Sequence, residues 1–288
     1  MLRNRRIAVI LGYSTNAYTR FSLWEALRRI SGLGFRGVEI MGDRPHLYPP
    51  DFAEGDISRL REALREHGLK VTNINSFTLF AVGDTYLPSW IEADGALRRV
   101  RVEHTKACLR VAAALGCSNI SVPPGGPLRE MGRGQALRLF HQGMEQVVPL
   151  AEELGVRVLV EPEPGLLLEN SRQFRQFIRS VSSTMVGLNF DAGHFFCVGQ
   201  DPVEAMEELF GWIGHMHLED IGSSREHRHL IPGLGAMDLR ALIRRAARLG
   251  YGGDMSLELY PYTDMPDEAG RSGLARLKPI LEEVGWGQ

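Results

Sequence analysis

The sequence predicts an α/β fold in which a single domain, spanning residues 1–288, closes into a (β/α)8 barrel. Three observations predict this fold. An amphipathic helix, a glycine and an apolar strand recur along the whole chain, eight strands follow this pattern, and no Pro/Ser-rich linker interrupts them. An open, doubly wound sheet is the alternative, but the G-x-G-x-x-G motif of a dinucleotide-binding fold does not follow the first strand.

The elements follow in order from this repeat. The first helix, predicted at 22–33, carries its apolar residues on one face, and Gly68 ends the second helix, predicted at 57–67. Runs rich in Val, Ile and Leu indicate strands that are buried on both faces. The eight predicted strands lie at residues 7–12, 37–41, 69–75, 118–122, 156–161, 186–191, 213–219 and 255–259.

Composition limits the class of partner. The chain has 33 Lys and Arg residues against 35 Asp and Glu residues, a formal net charge of -2, so no overall basic field attracts nucleic acid. Its 3 cysteines are too few and too irregularly spaced for a disulfide framework, which favours a reducing, cytoplasmic setting. No stretch is apolar and long enough to cross a membrane, and the apolar run after MLRNRR is too short for a signal peptide. A small-molecule ligand is therefore expected.

The connection at residues 76–102 is unusually long and carries the aromatic residues Phe77, Phe80, Tyr86 and Trp90. Long connections in compact domains often form lids or binding loops. Two interpretations are open: the aromatic side chains stack on a ligand, or they pack this inserted segment onto the barrel.

Polar residues end four successive predicted strands. Glu161, Asp191, His217 and Glu258 each follow an apolar run, and in such barrels the carboxyl ends of the strands form the active-site rim. Buried charge there is unfavourable unless a cation compensates it. Three carboxylates and one imidazole suit one divalent ion, preferably manganese (Mn²⁺), with Mg²⁺, Co²⁺ or Zn²⁺ as alternatives. The alternative for Asp191 and the nearby His194 is a helix cap and a packed loop residue.

These segments resemble the sugar phosphate isomerase/epimerase family of xylose isomerase-like TIM barrels. The motifs E-P, D-A-G-H, H-M-H-L-E-D and S-L-E-L carry the resemblance, which extends over nearly the whole chain and is not specific for one substrate. It implies a sugar or cyclitol substrate, as in ketose 3-epimerases, hydroxypyruvate isomerases and inosose dehydratases. It also implies a homodimer or homotetramer.

The resemblance implies a role for each strand-end residue. Glu161, Asp191, His217 and Glu258 match the ligands of the family's metal ion, and Glu161 and Glu258 match the two groups that move a proton on opposite faces of the substrate. The chemistry is reasonable in itself, because a metal ion beside a carbonyl acidifies the neighbouring carbon-bound proton and stabilises an enediolate.

Other residues are expected to contact the substrate. The resemblance assigns His194 and Arg228 to substrate oxygens, although the long segment EDIGSSREH leaves Arg225 as an alternative to Arg228. Glu39, at the end of the second strand, is expected either to bind a substrate hydroxyl or to pair with a rim cation such as Arg44. The lack of a Lys/Arg cluster at a strand end favours an unphosphorylated substrate.

Two further residues are expected to support this rim. Glu163 follows Glu161 by two residues and is expected to lie behind it. His215 precedes His217 by two residues in the same strand, which places it on the same face and one layer deeper, in a structural role.

Three alternatives to an isomerase or epimerase remain open on sequence alone. A dehydratase or lyase would use the same enediolate to expel a hydroxyl group, and a non-catalytic barrel would bind a sugar without proton exchange. An apurinic endonuclease would need histidines at the ends of strands two and three, where this chain has VEIMGD and VTNINSF. The D-R-H segment that helps to bind metal in those endonucleases reads H-R-H in this chain.

Overall fold

Eight parallel strands form a closed barrel in the computed structural model, which describes residues 9–287. Each strand pairs with its neighbours in chain order, and β1 pairs with β8 to close the barrel, with Leu11 opposite Met255. The predicted (β/α)8 fold is therefore confirmed. The strands are β1 (Leu11–Ser14), β2 (Gly37–Met41), β3 (Lys70–Asn75), β4 (Asn119–Val122), β5 (Arg157–Val160), β6 (Val186–Asp191), β7 (Ile213–Leu218) and β8 (Asp254–Leu257).

The first strand differs most from its prediction. The expected range was 7–12, of which Ile7 and Ala8 lie outside the described residues, and the observed β1 extends to Ser14. Its pairing with β2 begins where Gly12 lies opposite Gly37. A Cβ atom at Gly12 would approach the side chain of Thr72 to 2.8 Å, so a glycine is required where strands β1, β2 and β3 come close.

Helices surround the barrel, and glycine ends several of them as the repeat predicts. Gly116, Gly155 and Gly250 take left-handed φ values of 70°, 65° and 81° at the ends of the third, fourth and eighth helices. Within residues 9–287 the α-helices are α1 (Leu23–Gly32), α2 (Glu54–Glu66), α3 (Gly95–Leu115), α4 (Arg133–Leu154), α5 (Ser171–Ile178), α6 (Ala192–Cys197), α7 (Pro202–Leu209), α8 (Leu239–Leu249) and α9 (Pro266–Glu283). None of the described helices combines the length and apolar character needed to span a membrane.

The long connection after β3 is shorter than predicted, because residues 95–102 already belong to α3. Asp94 starts this helix by accepting a hydrogen bond from the amide of Ala96 at 2.7 Å. The remaining loop is anchored by Trp90, which is buried and whose Nε1 donates to the carbonyl of Pro123 at 3.0 Å. Arg101 is also buried and donates to the carbonyl of Phe77 at 3.0 Å. Part of the loop is therefore packed firmly onto the barrel.

A polar layer fills the barrel interior just below the carboxyl ends of the strands, where such barrels usually hold branched apolar side chains. His215 is central to it: Nδ1 lies 2.8 Å from Oδ1 of Asn189, and Nε2 lies 2.9 Å from Oγ of Ser256. The buried members of the layer are Thr72, Asn73, Asn119, Ser121, Asn189, His215 and Ser256. This layer supports the residues of the rim above it.

Candidate metal centre and substrate cavity

Four buried side chains from four successive strands converge at the carboxyl end of the barrel. Nδ1 of His217 lies 3.2 Å from Oε1 of Glu161 and 3.5 Å from Oδ2 of Asp191. The same nitrogen lies 3.4 Å from Oε2 of Glu258. One ligand atom from each residue lies within 4.8 Å of those of the others. The structure thus brings together the four residues that the sequence predicts as metal ligands.

Strand pairing produces this convergence. Asp191 and His217 lie opposite each other where β6 pairs with β7. The amide of Glu161 donates to the carbonyl of Val122 at 3.0 Å, and that of Glu258 donates to the carbonyl of Leu218 at the same distance. Both glutamates therefore continue the backbone ladder one residue beyond their strands, and their side chains start from rigid positions.

Asp191 is positioned for both of the roles that its sequence context allows. Its Oδ1 caps α6 by accepting a hydrogen bond from the amide of His194 at 2.8 Å. Its Oδ2 is buried, faces His217, and has no hydrogen-bond partner among the described residues. The capping bond fixes the carboxylate and leaves one oxygen free for a cation.

The donor set fits a divalent metal ion. Burial alone would lower the pKa of His217, but the carboxylates of Glu258, Glu39 and Glu161 raise it well above its usual range. A proton on His217 and a divalent cation are thus two ways to neutralise the same buried acidic cluster. Three carboxylates, including that of Asp191 with its unpartnered oxygen, and one imidazole form a set that suits Mn²⁺, Mg²⁺, Co²⁺ or Zn²⁺.

Three histidines form a second wall beside this centre. Ring centroids of His194 and His227 are 4.6 Å apart, and those of His227 and His229 are 5.5 Å apart. Nδ1 of His194 lies 2.8 Å from the carbonyl of Pro162, so Nδ1 carries the proton and Nε2 faces the cavity. Burial lowers the pKa of His194 to about 4 and that of His229 to about 3, so both rings are neutral at neutral pH. Nδ1 of His229 is bound to the carbonyl of Glu258, so the Nε2 atoms of His194 and His229 can both accept hydrogen bonds.

The two arginines predicted to contact substrate lie elsewhere. Arg228 is exposed and does not line the cavity, because His227 and His229 on either side of it turn inward. Alternation along an extended segment places residues two apart on one side and the residue between them on the other. Arg225 lies over the ring of Phe196 at 4.7 Å, also outside the cavity.

Glu39 is likewise not where the sequence predicts it. It is fully buried beneath the rim and does not line the cavity, so the structure does not support contact with a substrate hydroxyl. It does not pair with Arg44, whose Nε contacts Asp51 at 2.6 Å. Instead Oε2 of Glu39 lies 2.7 Å from Nε2 of His217. The depth of this position within the barrel accounts for the difference.

Glu163 faces the cavity rather than lying behind Glu161. The hydroxyl of Tyr86 donates to its Oε1 at 3.0 Å, and its Oε2 lies 3.2 Å from Nε2 of His194. Burial, followed by the charges of Glu161 and Asp191, raises the pKa of Glu163 well above its usual range. Glu163 thus links the long loop to the histidine wall.

A cavity of about 670 Å³ opens above the metal centre. Phe77, Phe80 and Tyr86 line it, whereas Trp90 does not, so the aromatic residues of the long loop divide between the two predicted roles. Among the described residues that line the cavity, Arg44 is the one Lys or Arg side chain, and Asp51 already neutralises it. The cavity therefore suits a polar ligand without a negative charge.

Two amides in the site were not predicted. Nδ2 of Asn16 donates to Oε1 of Glu258 at 2.8 Å, and Nδ2 of Asn75 lies 3.3 Å from the same oxygen. Both line the cavity. Asparagine residues near strand ends carry no specific sequence signal. The two histidines His227 and His229 did carry a signal, because residues two apart in an extended segment place their side chains on the same side.

Comparisons with known proteins show which proteins this chain is similar to. The fructoselysine 3-epimerase of Escherichia coli O157:H7 is 24% identical over 283 residues, which cover 94% of this chain and 98% of that protein. The structure of the IOLI protein with a bound zinc atom has a TM-score of 0.79 at 18% identity and covers 96% of this chain and 99% of that one. The structure of 3-keto-D-glucoside 4-epimerase, YcjR, from E. coli has a TM-score of 0.78 at 21% identity and covers 94% of this chain and 99% of that one.

A family model provides the assignment. The model described as xylose isomerase-like TIM barrel matches residues 27–280, which is most of the chain. This confirms the resemblance that the strand-end motifs indicate, and the solved structures support the same fold. The chain belongs to the xylose isomerase-like TIM barrel family.

Proposed function

We propose that this protein is a divalent-metal-dependent isomerase or epimerase of a ketose, a keto-cyclitol or a similar polyhydroxy carbonyl compound. One observation carries the proposal: Glu161, at the end of β5, and Glu258, at the end of β8, approach the same nitrogen of His217 from the two sides of β7, at 3.2 and 3.4 Å. Both are cavity-lining carboxylates within one metal-ligand set. Two carboxylates beside one bound substrate are what a proton transfer needs, one to remove the proton and one to return it.

Glu161, Asp191, His217 and Glu258 would hold the metal ion, for which we propose Mn²⁺ because oxygen ligands predominate. When bound, the ion polarises the substrate carbonyl and stabilises developing negative charge. Glu161 takes the proton from the carbon beside the carbonyl, and Glu258 delivers a proton to the enediolate. For a substrate of the opposite configuration at that carbon, the two glutamates exchange these roles. Whether C2 or C3 receives the proton decides between isomerisation and epimerisation.

The histidine wall would orient the substrate. Nε2 of His194 faces the cavity because Nδ1 is bound to the carbonyl of Pro162, and the ring is held in the first turn of α6. A fixed ring that contacts a substrate oxygen restrains the intermediate and keeps the reacting carbon near both glutamates. His229 and Glu163 extend the same polar wall.

The substrate is proposed to be an unphosphorylated sugar or cyclitol. Arg44 is paired with Asp51, so the cavity wall offers no unpaired Lys or Arg within the described residues for a phosphate. Phe77, Phe80 and Tyr86 supply an apolar side on which a sugar or its substituent would lie. The similarity to fructoselysine 3-epimerase supports a substituted ketose as one member of the substrate panel.

The test is solvent-proton exchange. The Mn²⁺-loaded protein is incubated in D₂O with ketoses, keto-cyclitols and fructoselysine, and deuterium at the carbon beside the carbonyl is followed by NMR and mass spectrometry. We expect exchange with at least one compound, lost when Glu258→Gln is used. Product that lacks one water would reassign the protein as a dehydratase. Tight substrate binding without exchange would contradict an isomerase or epimerase.

A further inference from the structure

Glu39 lies below the metal centre and contacts one of its predicted ligands directly. Its Oε2 is 2.7 Å from Nε2 of His217, and its side chain is fully buried. We propose that Glu39 is a positioning residue that accepts a hydrogen bond from Nε2–H of His217, so that Nδ1 presents its lone pair to the metal ion. This inference rests on the proposed metal centre and assigns a residue outside the four ligands.

The ring of His217 has oxygen neighbours on both sides, and their arrangement decides which nitrogen carries the proton. Nε2 has the 2.7 Å contact with Glu39. Nδ1 instead faces three carboxylates at longer and nearly equal distances, with Oε1 of Glu161 at 3.2 Å, Oε2 of Glu258 at 3.4 Å and Oδ2 of Asp191 at 3.5 Å. The shortest contact of the ring is therefore the one at Nε2, which is the better place for the proton. A neutral imidazole has one N–H, and its hydrogen bond to a carboxylate fixes the tautomer of the other nitrogen.

The carboxylate of Glu39 is itself held in place. Nδ2 of Asn73 donates to Oε2 at 2.9 Å, and Nδ2 of Asn75 donates to Oε1 at 3.2 Å. Asn73 is fixed in turn by Ser121, whose Oγ lies 2.9 Å from the same Nδ2. Both Glu39 oxygens are therefore oriented by neutral amides, which cannot neutralise its charge.

The strand geometry places Asn73 beside Glu39. The pairing of β2 with β3 shifts register after Val38, because Thr72 is an extra residue in β3, so that Asn73 lies opposite Glu39. Such irregularities redirect side chains of the strand that carries the extra residue and are frequent near functional sites. A buried carboxylate is unfavourable without charge compensation, and the imidazole of His217, with the metal ion that it would bind, would supply that compensation to Glu39.

The first test is metal affinity, measured by calorimetric titration with Mn²⁺ and with Zn²⁺. Loss of a carboxylate behind a metal-bound histidine typically weakens metal binding by about 10–100-fold, and we expect this range for Glu39→Gln. Asp43→Asn is the matched control, since Asp43 is equally buried, follows the same strand, and accepts hydrogen bonds from the amides of Phe80 and Ala81 rather than from His217. Its metal affinity should stay within about twofold of the unaltered chain.

Equal affinities of Glu39→Gln and the unaltered chain would overturn the inference while leaving the metal centre intact. Failure of the unaltered chain to bind either metal would overturn both this inference and the proposed function. The two failures are therefore distinguishable.

A second measurement does not depend on how well Glu39→Gln folds. Histidine ring nitrogens of the unaltered Zn²⁺-loaded protein are examined by ¹⁵N NMR, with His217→Asn used to assign the resonance. We expect metal-bound Nδ1 and protonated Nε2 at His217. A metal-bound Nε2, with the proton on Nδ1, would overturn the inference, because Glu39 could not then accept the proposed hydrogen bond.

Discussion

The two halves of the barrel contribute different kinds of group to the candidate site. Strands β5 to β8 end in the charged set, with Glu161 and Glu258 at its two edges and His217 between them. Strands β1 to β3 contribute mainly neutral amides, such as Asn75, together with the buried Glu39. The first half also carries the loop that supplies the aromatic wall of the cavity.

This difference separates chemistry from support. Glu161 and Glu258 of the second half line the cavity, where they can reach a metal ion or a reacting proton. Groups of the first half contact those rim residues from below or from the side, as Asn75 does by sharing its Nδ2 between Glu39 and Glu258. Substitutions of the charged set should therefore abolish the reaction, whereas substitutions of the first-half residues that contact this set should weaken it.

The largest expected effect is at Glu258. Glu258→Gln removes a proton-transferring carboxylate and a metal ligand, and we expect deuterium exchange to fall by about 10²–10⁴-fold. Asn75→Ala, which removes only a hydrogen-bond donor to Glu258, should lower kcat/KM by about tenfold. Rates of exchange at saturating Mn²⁺ measure both. An equally large fall in the exchange rate for Asn75→Ala and Glu258→Gln would contradict the proposed difference between the two halves.

A second comparison lies within the segment after β7. His229 is buried and its Nδ1 donates to the carbonyl of Glu258 at 3.0 Å, so His229→Ala frees the end of β8. We expect kcat/KM to fall by about 10–100-fold, as for other groups that hold a reacting residue in place. Arg228→Ala should leave kcat/KM unchanged, since this side chain points away from the cavity. A larger fall in kcat/KM for Arg228→Ala than for His229→Ala would show that Arg228 contacts the substrate, as the sequence predicts.

One buried histidine in the first half of the barrel, His104, should make the free energy of unfolding sensitive to acid. Burial lowers the pKa of His104 to about 3, so the folded chain stays unprotonated there while the unfolded chain takes up a proton below about pH 6.5. The contribution of His104 to the free energy of unfolding is therefore fully present above pH 6.5 and is lost as the pH falls toward 3. Between pH 7 and 5 the free energy of unfolding should drop by about 2 kcal/mol more than in His104→Leu. Denaturant titrations at both pH values measure this, and equal drops would contradict it.

The smallest expected effect concerns the aromatic wall. Phe80 and Val82 are 49% and 51% exposed, but of the two only Phe80 lines the cavity. Phe80→Ala should raise KM by about three- to tenfold with little change in kcat, since it removes contact area made equally in the ground and transition states. Val82→Ala should change neither parameter. Equal effects of the two substitutions would show that the loop acts on the substrate only through its packing.

Sequence reasoning succeeded where local pattern carries the information. An apolar run followed by a charged residue marks a strand end, and parallel strands that close into a barrel bring such ends together, as for Glu161 and His217. It failed for Glu39, because this residue lies two positions before the end of β2 and its side chain is buried below the rim. It also failed for Arg228, because Asp220 pairs with Leu230 and so fixes which side chains of the preceding segment turn inward.

The most direct test of the proposed centre is the crystal structure of the Mn²⁺-loaded protein, with the metal located by anomalous scattering. We predict one ion bound by Glu161, Asp191, Glu258 and Nδ1 of His217. An ion held instead by the wall of His194, His227 and His229, or no ion at saturating Mn²⁺, would contradict the four-ligand centre and the proton transfer proposed from it.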